Sequence, residues 1–149
     1  MTRIFFLGLG HMGGAMAANL VKAGFTVNGF DLNAETLAKA ADAGLRPLDT
    51  AEGFATADVV MSSLPGPVQV ASVGLEDDGL LETVRPGTSW IDLSTNDLET
   101  ARRLATHAAG KHVTLIDAPV SGGPEGAAAG TLSVYIGGPA EAVQKHWSI

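Results

Sequence analysis

Gly8-Leu9-Gly10-His11-Met12-Gly13 is the stretch that decides how this chain is read. By itself the G-x-G-x-x-G spacing is a weak signal, shared with ordinary glycine turns. Its surroundings strengthen it. The continuous apolar run Ile4 to Leu7 precedes it, as expected of a strand buried on both faces, and a helical stripe of Met12, Met16, Leu20 and Ala23 follows. After Gly24 comes a second strand pattern, Thr26 to Asp31, which ends in an acidic residue eighteen positions beyond Gly13. Strand, glycine turn, helix, strand and terminal acid together make the context of a dinucleotide-binding unit. In such a unit Gly8 permits the tight turn, Gly10 lets a pyrophosphate approach the backbone, and Gly13 lets the helix lie against the sheet. The alternative is a glycine turn with no ligand.

Working outward, strand-length apolar runs alternate with helical periods. Asn33 is a candidate N-cap for a helix over Ala34 to Ala43 closed by Gly44, and Asp49 or Thr50 for a short helix to Ala55. Val59 to Leu64 is a further buried strand, ended by Pro65-Gly66-Pro67. Helical pieces over Val68 to Val73 and Leu80 to Val84 lead to a strand at Ser89 to Leu93. A helical stripe from Leu98 then ends at Gly110, and Val113 to Ile116 is another strand. A glycine-rich loop precedes the alternating segment Leu132 to Ile136. A last helix starts near Ala140 and is expected to run to the terminal Ile149 and be cut short there. The expected fold is α/β, a doubly wound Rossmann-type domain spanning 1–149 with a mostly parallel sheet, its last strand allowed to be antiparallel.

Composition agrees. The chain has 149 residues, of which 46% are hydrophobic and 17% charged, so a substantial core rather than disorder is expected. Glycine supplies 19 residues, about 13% against a usual ~7%, without collagen period or low-complexity block. The surplus is assigned to the Gly8–Gly13 turn, to helix stops at Gly24, Gly44 and Gly110, and to a loop from Gly122 to Gly130. A net charge of −7 with nine scattered Lys and Arg argues against nucleic acid and acidic membrane surfaces. The absence of cysteine excludes disulfides and thiolate chemistry, and the N-terminus shows neither a signal peptide nor a span, so the expected location is cytoplasmic. Four dispersed histidines without ligand spacing give no reason to expect a metal.

Several residues are candidates for chemistry. Asp31 is placed to accept from ribose hydroxyls, and no arginine follows it to neutralise a 2′-phosphate. Two like charges at ~4 Å and a dielectric of ~20 repel by about 4 kcal/mol, and a quarter of that still disfavours NADP roughly fivefold, so NAD is expected. A solvated strand-end carboxylate is the alternative. Leu64 and Pro65 either line the nicotinamide side or form a plain turn. The hydroxyls of Ser94 and Thr95 either reach cofactor or substrate, or the segment caps the next helix through Thr95, Asn96 or Asp97. Ser121-Gly122-Gly123 opens a run with four glycines in nine residues, which either cradles a small carboxylate or is structural. His11, inside the first glycine turn, faces solvent or phosphate.

Taken in order, Gly8 to Gly13 with Ala17-Ala18-Asn19-Leu20, then Asp92-Leu93-Ser94-Thr95, then Asp117 to Leu132 with Gly137-Gly138, resemble the β-hydroxyacid dehydrogenase family of 3-hydroxyisobutyrate dehydrogenase and tartronate semialdehyde reductase type. The resemblance implies that Gly8, Leu9, Gly10, His11, Met12 and Gly13 with Asp31, Leu64, Pro65 and Thr95 bind the dinucleotide. It implies that Ser121, Gly122 and Gly123 contact a substrate carboxylate. It further implies hydride transfer between NAD and a small 3-hydroxy acid, and a homo-oligomer at full length. The family's catalytic lysine lies in a lysine-and-asparagine motif leading into an all-helical second domain, a place expected beyond Ile149. None of Lys22, Lys39, Lys111 and Lys145 matches it, so no catalytic residue is assigned here. Asn96-Asp97 also departs from the family's usual continuation after the threonine. A non-catalytic dinucleotide-binding module and an NADP-linked semialdehyde reductase are the competing expectations.

Overall fold

A computed structural model describes residues 2–149. Six strands form one parallel sheet in the order β3-β2-β1-β4-β5-β6: β1 (Arg3–Leu7), β2 (Thr26–Phe30), β3 (Arg46–Pro47), β4 (Val59–Ser62), β5 (Ser89–Asp92) and β6 (Thr114–Asp117). The chain winds outward from β1 to β3, returns beside β1 at β4, and winds out the other way to β6. Strand order therefore reverses between β1 and β4, the place where doubly wound sheets open a crevice at their carboxyl ends.

Burial in β1 explains its unbroken apolar run. Ile4 and Phe6 pack into one face with Val27, Val59, Met61 and Ile91, while Phe5 and Leu7 pack into the other with Val60, Trp90 and Leu104. Ile4, Phe5 and Phe6 are essentially inaccessible, and burying each stabilises the fold by roughly 1.5–3 kcal/mol. The first face is covered by α1 (His11–Lys22) and α2 (Ala34–Asp42). The second is covered by α3 (Thr50–Thr56), α4 (Pro67–Leu75), α5 (Leu80–Thr83) and α6 (Leu98–Gly110).

Caps fix three helix starts. Asn33 accepts from the Thr36 N–H at 3.0 Å, Asp49 from Glu52 at 2.8 Å and Asp97 from Thr100 at 2.7 Å, which settles the cap of α6 on Asp97. The fully buried stripe of α1 is Gly13, Ala17 and Leu20; of the expected residues Leu20 is buried and Met16 packs half-buried against the core, while Met12 faces the cleft. Gly13 and Ala17 occupy the innermost positions because the helix lies close to the sheet.

Three expectations are corrected. The run from Gly122 to Gly130 is mostly helix: α7 (Gly123–Ala129) has Pro124 in its first turn, an alanine run, and Gly130 as a left-handed cap, all of which favour helix over loop. The antiparallel strand is not in the main sheet. β7 (Val120–Ser121) and β8 (Ser133–Val134) form a separate two-stranded ribbon. α6 does end at Gly110 as expected, and the left-handed turn after it falls on His112 at φ 57°, where the N–H of Val113 closes on the carbonyl of Ala108. Finally, the last helix, α8 (Ala140–Lys145), does not run to Ile149 but ends at Lys145 with His146 as its cap. The chain then tightens into a turn in which the Ile149 N–H donates to the His146 carbonyl at 3.0 Å. This brings the half-buried Ile149 side chain against the core of the first face, so apolar burial outcompetes a further helical turn.

Candidate dinucleotide site

At the switch point lies a cleft of about 960 Å³. Its floor is the turn from β1 into α1. Gly8 sits at φ +81°, and a Cβ there would stand 2.2 Å from the Ser63 carbonyl oxygen. A Cβ on Gly13 would stand 1.8 Å from the Gly8 carbonyl oxygen. These two glycines lock the turn between helix and sheet. Gly10 differs: it is the N-cap of α1, no side chain caps it, and a Cβ built on it meets nothing within 4 Å. The bare start of a twelve-residue helix thus opens onto empty space, with its N–H groups and positive dipole end available to an anion.

Asp31 follows β2 on one side of the cleft. Its Oδ2 accepts from the Leu9 N–H at 2.7 Å and its Oδ1 from the Asn33 N–H at 2.8 Å, so the carboxyl group is fixed against the glycine turn. Each oxygen keeps a further lone pair for a hydroxyl donor. Leu64 and Pro65, after β4, line the opposite side.

The cleft therefore brings together Gly8, Gly10, His11, Met12, Gly13, Asp31, Leu64 and Pro65. The remaining sequence candidates lie elsewhere. The Leu9 side chain is core, and only its N–H points toward Asp31. Thr95 is exposed beyond β5 and does not line the cleft. Ser94 is buried, and its hydroxyl accepts from the Leu64 N–H at 2.8 Å instead of facing a ligand. Ser121 and Gly122 are exposed, and Gly122 and Gly123 hold φ of +139° and +66° at the mouth of α7. That helix is tied to α1 by the Asn19 side chain, which donates to the Ala127 carbonyl at 2.7 Å.

Sequence reasoning missed a wall of the cleft. Leu32, which is 94% exposed, and the α4 face carrying Val68, Gln69, Ser72 and Val73 line it. Val68, an apolar residue directly after Pro67 that ends up 76% exposed, is the available signal. None of the lysines lines the cleft: Lys39 pairs with Glu35, Lys111 with Glu82, and Lys145 borders a cavity at the amino ends of β4 and β5. Ile149, beyond which the family's lysine is expected, lies against the core of the first face and likewise does not line the cleft.

At the carboxyl ends of β5 and β6, Asp92 and Asp117 are register neighbours. Burial, and then the nearby Asp92, push the Asp117 carboxyl above the usual carboxylate range. Among the described residues, Asp117 Oδ1 and Asn96 Oδ1 are the buried side-chain atoms without a hydrogen-bond partner.

A family model described as the NAD binding domain of 6-phosphogluconate dehydrogenase matches residues 3–149. The chain belongs to this family. Within it, this NAD-binding domain is 53% identical over 145 residues to a 3-hydroxyisobutyrate dehydrogenase of Pseudomonas aeruginosa, an alignment covering 95% of this chain and 48% of that protein. It is 45% identical over 149 residues to an NAD-dependent L-serine dehydrogenase of the same organism, covering 97% of this chain and 49% of that one. Among solved structures, the 3-hydroxyisobutyrate dehydrogenase of Mycobacterium tuberculosis with L-serine superposes with a TM-score of 0.88 at 40% identity, covering 97% of this chain and 49% of that one. The chain spans about half the length of the relatives it matches. The resemblance to 3-hydroxyisobutyrate dehydrogenase type proteins, the Rossmann-type fold and NAD as the cofactor of the family stand. The residues present suit that cofactor: an open cradle over Gly10, a free helix start and an acid fixed beside them.

Proposed function

We propose that this chain is the cofactor-binding half of a dehydrogenase that oxidises a small 3-hydroxy acid of the 3-hydroxyisobutyrate kind. The open space over Gly10 at the bare start of α1, facing a fixed Asp31, carries the reading. Backbone N–H groups from Gly10 to Gly13 hold the pyrophosphate, Asp31 holds the adenosine ribose, and Leu64 and Pro65 face the nicotinamide half. NAD supplies the acceptor for the two electrons leaving the hydroxyl-bearing carbon. The backbone at Ser121, Gly122 and Gly123 receives the substrate carboxylate, and Thr95, exposed just beyond β5, contacts the cofactor where it extends past the cleft. The lysine positions support assigning the hydroxyl proton to a group from the relatives' other half, past the position of Ile149, because none of the four reaches the cleft.

Calorimetric titration of the purified 149-residue chain with NAD, beside an assay of NAD reduction with 3-hydroxyisobutyrate, tests this. Binding without appreciable turnover is expected. Robust dehydrogenase activity, or no NAD binding at millimolar concentration, would overturn it.

A further inference from the structure

A buried polar chain runs from the core of the sheet to the cleft wall. The Trp90 indole N–H donates to Ser62 Oγ at 2.8 Å, and the Ser62 hydroxyl donates to Asp92 Oδ1 at 2.7 Å. Asp92, 1% exposed, also accepts from the Ser94 N–H at 3.2 Å and from Asn96 Nδ2 at 2.6 Å. Ser94 then turns its oxygen the other way, to the Leu64 N–H at 2.8 Å. The chain thus runs from the Trp90 indole, through the buried Asp92 carboxyl group at its centre, to the backbone of a residue lining the cleft.

β4 ends at Ser62, and the segment that follows is held toward β1 by the Ser63 N–H, which donates to the Leu7 carbonyl at 2.9 Å, and toward the core by the half-buried Leu64 side chain; the Leu64 N–H is held by Ser94. Its position across the cleft from Asp31 matters. With the strands ordered β2-β1-β4-β5, a dinucleotide whose pyrophosphate lies over the β1–α1 turn and whose adenosine ribose meets Asp31 must run its other half over β4.

We propose that Ser94 is a positioning residue for the cofactor: anchored by Asp92, it latches the Ser63-Leu64-Pro65 wall in the position that admits the nicotinamide half. The proposal rests on the NAD reading above. Its signature is selectivity. Losing the latch leaves the half-buried Leu64 N–H without its acceptor and lets the wall move, while the glycine turn and Asp31 stay in place.

The test compares NAD with ADP-ribose, which lacks the nicotinamide, on the purified chain and on Ser94→Ala. NAD is expected to bind about tenfold more weakly to the variant while ADP-ribose changes by less than about twofold. Amide exchange at Leu64, protected in the parent, should become fast. If Ser94→Ala does not fold, Ser94→Cys fills the same space with a weak acceptor and should give the same selective loss. Equal weakening of both ligands, no weakening of either, or an unprotected Leu64 amide in the parent would each overturn the latch. A parent that binds ADP-ribose but not NAD would also overturn it. A parent that binds neither would instead remove the NAD reading, and the latch with it.

Discussion

Replacing Gly10 and Gly13 separately by alanine divides binding from folding. At Gly13 the added methyl would stand 1.8 Å from the Gly8 carbonyl oxygen, a backbone atom that cannot rotate away. A relaxed contact needs ~3.5 Å, so helix and turn must part by more than about 1.5 Å. Overpacking of that kind costs about 3 kcal/mol, and the better helix propensity of alanine returns ~1 kcal/mol, leaving a loss of about 2 kcal/mol. For a chain of this size that lowers the melting temperature by about 4–8 °C.

At Gly10 the methyl meets nothing within 4 Å, and the backbone, at φ −64° and ψ −162°, is open to any residue. The weaker N-cap and the stiffer unfolded chain nearly cancel, so stability should change by less than about 1 kcal/mol. The methyl does, however, occupy the cradle assigned to the pyrophosphate, and NAD should bind at least about tenfold more weakly. Thermal melts paired with NAD titrations read both quantities. A Gly10→Ala chain that melts normally and binds NAD within about twofold of the parent would refute the placement of the pyrophosphate over Gly10.

Other outcomes follow from single sites. Asp31→Asn should shrink the preference for NAD over NADP by roughly fivefold, read from parallel titrations, because the like-charge repulsion with a 2′-phosphate goes while the Leu9 N–H keeps an acceptor. His112→Gly should stabilise the chain by about 1 kcal/mol, raising its melting temperature by ~2–4 °C, because the histidine occupies a left-handed conformation at φ 57° that glycine adopts without strain. His146, whose Nε2 lies 2.8 Å from Ser89 Oγ, has its pKa held below the ordinary 6.5 by burial and then by Lys145. The unfolded chain therefore takes up the proton first, and stability should fall as the pH drops below 6.5 toward the folded-state value. In melts across that range, His146→Gln should show a flatter profile than the parent.

The parts of the fold that were legible in the sequence are those set by local rules. Continuous apolar runs marked the strands buried on both faces, and Asn33 and Asp49 announced their helices. The two-residue strand β3 escaped notice because Arg46 and Pro47 are exposed and carry no pattern; it exists because β2 offers a free edge. The nature of α7 was hidden by its glycines: Gly122, Gly123 and Gly130 act at its two ends, and the buried Gly126 sits within it just before the run Ala127 to Ala129. In the site, the glycine turn and Asp31 could be placed because their spacing follows from the geometry of one strand-turn-helix-strand unit. The role of Ser94 could not be. Its partners, Leu64 and the Asp92 network, are joined only by the pairing of β4 with β5, a contact across about thirty residues that no local pattern encodes.

The cleft also has an order in time. All its lining residues among the described ones lie between Leu7 and Gly79, whereas the latch that steadies one wall is Ser94, two residues past the end of β5 and made later. In a chain synthesised from its amino end, the lining is complete before the latch has been translated. A nascent chain of about eighty residues therefore carries the whole lining of the cleft, and its β4 edge stays unpaired until β5 arrives to close it.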